Sequence, residues 1–302
     1  MPTAPVTDAV RDKARALARA IEPVVGQVYF APECHDRYAA LGFAASPGSS
    51  KEGVAFPDGP AYFASRGSAL GQAPGELVAA AFGVFNPEVV IPAVAYGWTL
   101  TDAVTIADER LQGATEQLTR LLGERPEGVE RAIKLLTRGL DPCDPSGRAL
   151  FAGTLAQSLP GSPLGDLFRL GDRLREFRGD SHIAAWVAAG FSAAEIGLLT
   201  EPYWGLPART YVRTRAWSDA QLDAAEESLR ARGLLDELGA MTEAGRVARE
   251  ELELTTDAQM TPVVDALGDD VEELVALLAS MAGAIMAGAG YPPSPLAITR
   301  PG

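Results

Sequence analysis

The chain contains few of the residues from which metal sites and disulfide frameworks are built. It has two cysteines and two histidines among 302 residues. Cys34 and Cys143 lie far apart, and neither belongs to a Cys-x-x-Cys pair. A disulfide framework and a zinc site are therefore disfavoured, and the sequence predicts no metal ion.

Positive charge is also scarce. The chain has 26 lysines and arginines against 40 aspartates and glutamates, which gives a formal net charge of -14. Affinity for nucleic acid depends on cationic side chains that neutralise phosphates and release counterions. The composition therefore disfavours nucleic acid and anionic membranes as partners.

Several common enzyme motifs are absent. The sequence contains no Gly-x-Gly-x-x-Gly after a strand, no Walker loop and no Gly-x-Ser-x-Gly elbow. Nicotinamide-dependent, nucleotide-hydrolysing and serine-hydrolase functions therefore lack support. Residues 1–19 carry mixed charges and no continuous apolar core, so we expect neither a secretion signal nor an anchor, and a cytoplasmic location.

One uncharged stretch, residues 274–290, approaches the length of a membrane span. It is rich in Ala and Gly, and the acidic residues before it suit the positive end of a helix dipole. We interpret it as a buried or dimer-forming terminal helix. The sequence thus predicts no membrane contact and a homodimer.

The length and the hydrophobic content of 47% are sufficient for two domains. A break rich in Asp and Pro at residues 140–145 predicts the boundary. We expect a helical half at 1–145 and a winged-helix half at 146–302 that ends in a packing or dimerisation helix. Residues 92–102 parallel residues 207–219 in outline, so the first half as a degenerate winged-helix repeat stays an open alternative.

The second half carries the pattern of a winged helix-turn-helix. A helix begins after Ser218 with a buried stripe of apolar residues, a short hairpin follows, and Thr242 opens another helix. The sequence predicts a mainly α fold with winged helix-turn-helix modules, short β-wings and terminal helices. The run from Leu229 through Gly245 resembles MarR-type regulators, a resemblance that covers roughly residues 180–260. In that family the helix ending at Arg232 would lie in the major groove of DNA.

The exposed positions of that helix depart from the MarR pattern. They are mostly acidic, namely Asp219, Asp223, Glu226 and Glu227, with Arg230 near the end. Base edges and phosphates are read by Arg, Lys, Asn or Gln, so we expect no DNA binding. Residues 28–33, 175–185 and 232–245 also resemble an uncharacterised actinobacterial family of helix-turn-helix-fold proteins, which implies a fold and no activity.

A polar cluster at residues 175–182 is the first candidate site. Gly179-Asp180-Ser181 predicts a helix start with Asp180 or Ser181 as its cap. In one interpretation Arg178, Asp180 and His182 are structural. In the other they are catalytic, with His182 as general base, donor or axial haem ligand; no other cofactor is indicated.

Aromatic residues suggest a second part of this site. Tyr29, Tyr62, Trp186 and Tyr203 are flanked by small or turn residues, and Glu33 is a polar candidate from the first half. A pocket lined by them would suit a hydrophobic or aromatic metabolite. We therefore predict a small-molecule binder or an enzyme of specialised metabolism on a winged-helix scaffold.

Two other functions stay open. A ligand-responsive MarR-like regulator would require the arginines of this region to form one cationic stripe; these are Arg209, Arg213, Arg215, Arg230 and Arg232. A protein–protein adaptor would require a large exposed apolar patch.

Overall fold

The computed structural model describes residues 7–298, and this part of the chain folds into fourteen α-helices joined by turns and short 3-10 segments. The helices are α1 (Asp8–Gly26), α2 (Pro32–Ala40), α3 (Gly59–Gly67), α4 (Gly75–Phe82), α5 (Pro87–Leu100), α6 (Ala103–Leu122), α7 (Val129–Leu140), α8 (Ala149–Leu155), α9 (Pro163–Ala188), α10 (Ala193–Tyr203), α11 (Asp219–Ala231), α12 (Glu243–Gln259), α13 (Thr261–Leu267) and α14 (Val271–Ala287). The prediction of a mainly α fold is confirmed. Residues 1–6, the start of the segment expected to lack a secretion signal, lie outside the described range.

The longest helix, α9, lies at the centre of the main core. It packs against α1, α6, α7, α8 and α12, and its apolar side chains Leu167, Phe168 and Phe177 are buried. Helix α14 covers another face of α1. Helices from both predicted halves therefore share one core, and the boundary near residue 145 stays a prediction.

Helix α14 contains most of the uncharged stretch. Its residues Leu274, Leu278 and Ile285 are buried, whereas its small residue Gly283 is exposed. In the described part of the chain no single helix is both long and apolar enough to cross a membrane, although two sharply bent helix pairs reach the required length and composition. The homodimer expected through α14 stays a prediction.

A second core holds the region that the sequence assigned to the winged helix. Leu199 of α10, Leu222 and Leu229 of α11, and Leu252 of α12 pack together there. The predicted helix starts are confirmed: the hydroxyl of Ser218 accepts the N–H of Gln221, and that of Thr242 accepts the N–H of Gly245. These caps satisfy donors at the first turn of α11 and α12.

The predicted β-wings are not seen among residues 7–298. Between α11 and α12 a single antiparallel bridge joins Leu235 to Met241. The Asp236 carboxylate accepts the N–H groups of Leu238 and Ala240, which closes a tight turn, and α12 begins directly after Thr242. Too few residues remain on either side of the turn to pair as strands.

The helix start predicted at Gly179-Asp180-Ser181 is wrong. Helix α9 runs without a break through these residues. A glycine inside a helix costs only about 1 kcal/mol relative to alanine, and the packing of α9 on five neighbouring helices outweighs it. Asp180 does cap a helix, but a different one, because its Oδ2 accepts the N–H of Phe151 in the first turn of α8 at 2.9 Å.

Candidate functional site

Buried and half-buried charged and aromatic residues meet where α3, α6 and α9 come together beside the turn that follows α1. We call this group the arginine–tyrosine centre; its members are Tyr29, Tyr62, Arg66, Arg110, Asp172, Arg175 and Glu176. Asp172, Arg175 and Glu176 lie on adjacent turns of α9, so one helix supplies much of the charge.

Two ion pairs hold the centre together. Both N–H groups of the Arg66 fork donate to Glu176, at 2.9 and 2.7 Å, and Arg110 Nη1 donates to Asp172 at 2.8 Å. All four side chains are at most 10% exposed. Burial acts to raise the pKa of Glu176, but the charge and hydrogen bonds of Arg66 outweigh it and lower the pKa to about 2. The carboxylate is therefore charged at neutral pH.

Tyr29 contacts both the arginines of the centre and the ring of Tyr62. Its hydroxyl receives hydrogen bonds from Arg175 Nη1 at 3.4 Å and from Arg110 Nη2 at 3.5 Å. Its ring lies 4.9 Å from that of Tyr62, measured between centroids. Burial raises the pKa of Tyr29 to about 12, although Arg175 opposes this. The phenol is thus a neutral donor at physiological pH.

Two cavities adjoin the centre and share Ser65 as a lining residue. The first is lined by polar side chains that include Arg66, Arg110, Asp172 and Glu176. The second is lined by residues that include His35 and both tyrosines of the centre. His35 is 5% exposed. Its Nε2–H donates to the carbonyl of Tyr29, and its Nδ1 has no partner in the described residues.

A second polar network lies on the other side of α9 and faces α12. Arg178 donates to Asp257 at 2.9 Å and to Glu253 at 3.1 Å. His182 Nδ1 lies 3.1 Å from the hydroxyl of Thr256. Because that hydroxyl already donates to the carbonyl of Leu252, it accepts from His182, so Nδ1 carries the proton.

The protonation of His182 follows from its surroundings. Burial lowers its pKa to about 4, even though the charge of Glu253 acts in the opposite direction. The imidazole is therefore neutral at physiological pH, with Nδ1 as donor and Nε2 as acceptor. Among the described residues no group of three or more metal-ligating side chains is present.

The other predicted site residues are dispersed. Tyr203 joins the α12 network through a hydrogen bond from its hydroxyl to Glu250. Asp180 lies one turn beyond Glu176 and faces α8. Trp186 is buried in the second core, and Glu33 pairs with Arg120 near the surface at 2.6 Å. Tyr29 with Tyr62, and Arg178 with His182 and Tyr203, are thus the sets that the fold brings together.

Sequence reasoning missed Arg66, Arg110 and His35. They come from three helices that are distant in the chain, and none belongs to a local motif. The only available signal was the buried position of Arg110 on the apolar stripe of α6, which is visible once the helix phase is fixed.

Acidic side chains of α11 form ion pairs with arginines of the segment that precedes it. Arg209 pairs with Asp223 at 2.6 Å and with Glu226 at 2.8 Å, and Arg213 pairs with Asp219 at 2.7 Å. The remaining three arginines are also engaged: Arg230 with Glu226, Arg232 with Glu195, and Arg215 over the rings of Phe85 and Tyr211. Each of these five arginines therefore has an acidic or an aromatic partner in the structure.

These features define a mainly helical protein whose α10–α12 segment has the order of a helix-turn-helix. The chain belongs to the helix-turn-helix family, since the sequence model of that family matches residues 14–292. The match extends over both predicted halves. No curated protein and no solved structure matches the chain.

Proposed function

We propose that this helix-turn-helix protein binds a small molecule at the arginine–tyrosine centre and does not bind DNA through α11. The observation that carries the proposal is the two buried ion pairs, Arg66–Glu176 and Arg110–Asp172, beside a small cavity. Burying ion pairs has a large desolvation cost, and apolar residues of similar volume often stabilise a core as well or better. Clustered buried charge next to a cavity is typical of a ligand site.

The lining favours a small, partly aromatic ligand. Tyr62 contacts the rings of Phe63 and Phe85 as well as that of Tyr29. Aromatic rings therefore lie beside the charged side chains of the centre. The two cavities, each with a water-accessible volume of about 10 Å³, are far smaller than the roughly 300–1,000 Å³ of drug-sized ligand sites, so a ligand has to open the centre as it binds. We therefore propose a small hydrophobic or aromatic metabolite, of the kind found in specialised metabolism, as the ligand.

Both a binder and an enzyme are compatible with this geometry. The neutral phenol of Tyr29 supplies a hydrogen-bond donor next to two guanidinium groups. We retain Arg178, Asp180 and His182 as proposed chemical groups, because a neutral imidazole with a proton on Nδ1 leaves Nε2 as a base or haem ligand. Arg178, Asp180 and His182 lie outside the arginine–tyrosine centre, so Tyr29 is the group that we propose contacts the ligand.

A MarR-like, ligand-responsive regulator is the second candidate. Membership of a helix-turn-helix family and the order of α10, α11 and α12 favour it. The ion pairs of Arg209 and Arg213 with acids of α11 count against it, since those acids would face the phosphates. An adaptor is a third alternative, supported by Leu238, which is 94% exposed at the tip of the hairpin.

The first experiment is a native mass spectrum of the freshly purified protein, recorded beside its absorption spectrum. We expect a bound mass below that of a nucleotide that is released on denaturation, and two subunits if the predicted homodimer forms. A Soret band would identify haem and direct attention to His182. A ligand-free spectrum, together with no thermal shift from any member of a small aromatic fragment set, would contradict the proposal.

A gel-shift assay with genomic fragments at low salt separates the regulator from the small-molecule protein. We expect no retardation of DNA by the wild-type protein. A positive control is the double variant Asp223→Lys with Glu227→Lys, both exposed on α11, which should retard DNA in a salt-sensitive manner. Salt-sensitive retardation by the wild type would favour the regulator.

A further inference from the structure

The turn between α4 and α5, residues 83–86, joins the aromatic rings of the centre to the segment that leads into α11. The ring of Tyr62 lies 5.5 Å from that of Phe85, measured between centroids. The guanidinium carbon of Arg215 lies 4.7 Å from the centroid of the same Phe85 ring, and Trp217 Nε1 donates to the carbonyl of Val84 at 3.0 Å. Phe85 is 6% exposed. One buried ring therefore contacts both the centre and the segment before α11.

Asn86, the last residue of this turn, holds the same segment through hydrogen bonds that we call the α11 joint. Its backbone N–H donates to the carbonyl of Arg215 at 3.0 Å. Its Nδ2 donates to the carbonyl of Ala216 and to Oε1 of Gln221, both at 3.0 Å. Gln221 belongs to the capping box with which α11 begins. Asn86 is 3% exposed, so the joint is shielded from water.

The α11 joint holds a backbone conformation that is unfavourable for its residue. Ala216 has a φ of +62°, in the left-handed region that alanine rarely adopts. Such a conformation persists only where the surrounding contacts enforce it. The hydrogen bond from Asn86 to the carbonyl of Ala216 is one of these contacts. Once that bond loosens, Ala216 can return to a negative φ, which changes the direction in which the chain enters α11.

We propose that the α11 joint couples the arginine–tyrosine centre to α11. Displacement of Tyr62 shifts Phe85 and the adjacent Asn86, the joint loosens, and the start of α11 moves. The inference rests on the proposed function for the cause of the displacement, because a ligand has to open the centre as it binds. Occupancy of the centre would thereby regulate α11, the exposed helix of the helix-turn-helix.

Hydrogen–deuterium exchange of the ligand-free protein, read by mass spectrometry, tests the coupling with a substitution in place of a ligand. Tyr62→Leu removes the ring and should accelerate exchange of the α11 amides about fivefold or more, relative to the amides of α7 in the main core. Tyr62→Phe keeps the ring and should leave α11 unchanged. Phe30→Leu is the control, because Phe30 is another half-buried ring and its contact is with Tyr291.

Asn86→Asp tests whether the effect passes through the joint. The Asp side chain can still accept the N–H of Glu88 at the start of α5, as Asn86 does, but it cannot donate to Ala216 and Gln221. The α11 amides should already exchange faster in this variant. Addition of Tyr62→Leu should then change their exchange by less than about twofold, because the two substitutions act on one path. Asn86→Ser, which is smaller and uncharged, gives the same test if Asp at this position prevents folding.

Two results would overturn the coupling and leave small-molecule binding intact. One is an acceleration of α11 in Tyr62→Leu that is no larger than that of α7 or than that in Phe30→Leu. The other is a full response of α11 to Tyr62→Leu in the Asn86 variant. Small-molecule binding is measured separately, by the native mass spectrum and the fragment thermal shifts, so its failure is distinguishable from failure of the coupling.

Discussion

The carboxylate of Asp180, inside α9, accepts the backbone N–H of Phe151 in the first turn of α8 at 2.9 Å. This hydrogen bond joins α8 to α9, and Asp180 itself is only 6% exposed. Burial raises the pKa of Asp180 to about 6, while the hydrogen bond from Phe151 acts to lower it. The folded protein therefore holds a proton on Asp180 more readily than the unfolded chain does.

This relationship predicts that Asp180→Asn stabilises the protein at neutral pH. A carboxyl whose folded pKa is raised contributes stability below the unfolded pKa of 3.8, and this stability is lost as the pH rises through about 6. The Asn oxygen still accepts the N–H of Phe151 and carries no charge. We expect the free energy of unfolding of the variant, relative to that of the wild type, to rise by about 1–3 kcal/mol between pH 4 and pH 7.5.

Urea midpoints of Asp180→Asn and the wild type at the two pH values measure this difference. Asp141→Asn, on an exposed residue, is the control for removing a carboxylate that is not buried. A variant that is less stable than the wild type at pH 7.5 would mean that the Asp180 charge itself stabilises α8.

His182 predicts the opposite pH dependence. Its folded pKa of about 4 lies below the unfolded value of 6.5, so its contribution to stability is complete above pH 6.5 and is lost as the pH falls toward 4. The loss amounts to at most about 3 kcal/mol. His182→Asn, whose amide can still donate to Thr256, should flatten this part of the pH profile.

Two measurements check the His182 prediction. Urea midpoints between pH 4 and pH 7 give the slope, and nitrogen NMR shifts should show the proton on Nδ1. A titration of the His182 ring near pH 6.5 would contradict the buried, neutral imidazole. If a turnover is found, its loss in His182→Asn with an unchanged melting temperature at pH 7.5 would support a chemical role.

How far the sequence predicts this molecule depends on whether a signal is local. The caps at Ser218 and Thr242 are short-range contacts, and both were predicted correctly. Asp180 was predicted to cap a helix start at residues 179–181, which is wrong; the helix that it does cap begins near Phe151, 29 residues away, and no local pattern identifies it. The missed Arg110–Asp172 pair spans 62 residues, so only the packing of α6 on α9 reveals it.

The Arg110–Asp172 pair predicts a large penalty for removing one charge. Asp172→Asn leaves a buried guanidinium without its carboxylate, which typically costs about 3–5 kcal/mol. The matched surface change is Glu130→Gln, whose pair with Arg125 is 61% and 71% exposed and should contribute less than about 1 kcal/mol. Urea denaturation of both variants gives the comparison. Equal losses would mean that the centre is solvated and would weaken the proposed site.

The contact between α6 and α2 predicts a second sensitive position, Gly113. A Cβ on Gly113 would lie 2.7 Å from Cys34 Sγ and Cα, so α2 would have to move. Alanine normally stabilises a helix over glycine by about 0.5–1 kcal/mol, but we expect Gly113→Ala to lower the free energy of unfolding. Gly283→Ala on α14, where a Cβ meets nothing within 4 Å, is the control and should raise the free energy of unfolding.

Because α2 carries His35 beside the second cavity, Gly113→Ala should also weaken ligand binding, whereas Gly283→Ala should not. Chemical denaturation measures the change in stability, and a ligand-induced thermal shift measures the change in binding. A Gly113→Ala variant that is more stable than the wild type would show that α2 moves away from α6 at little cost and that this wall of the cavity is not rigid.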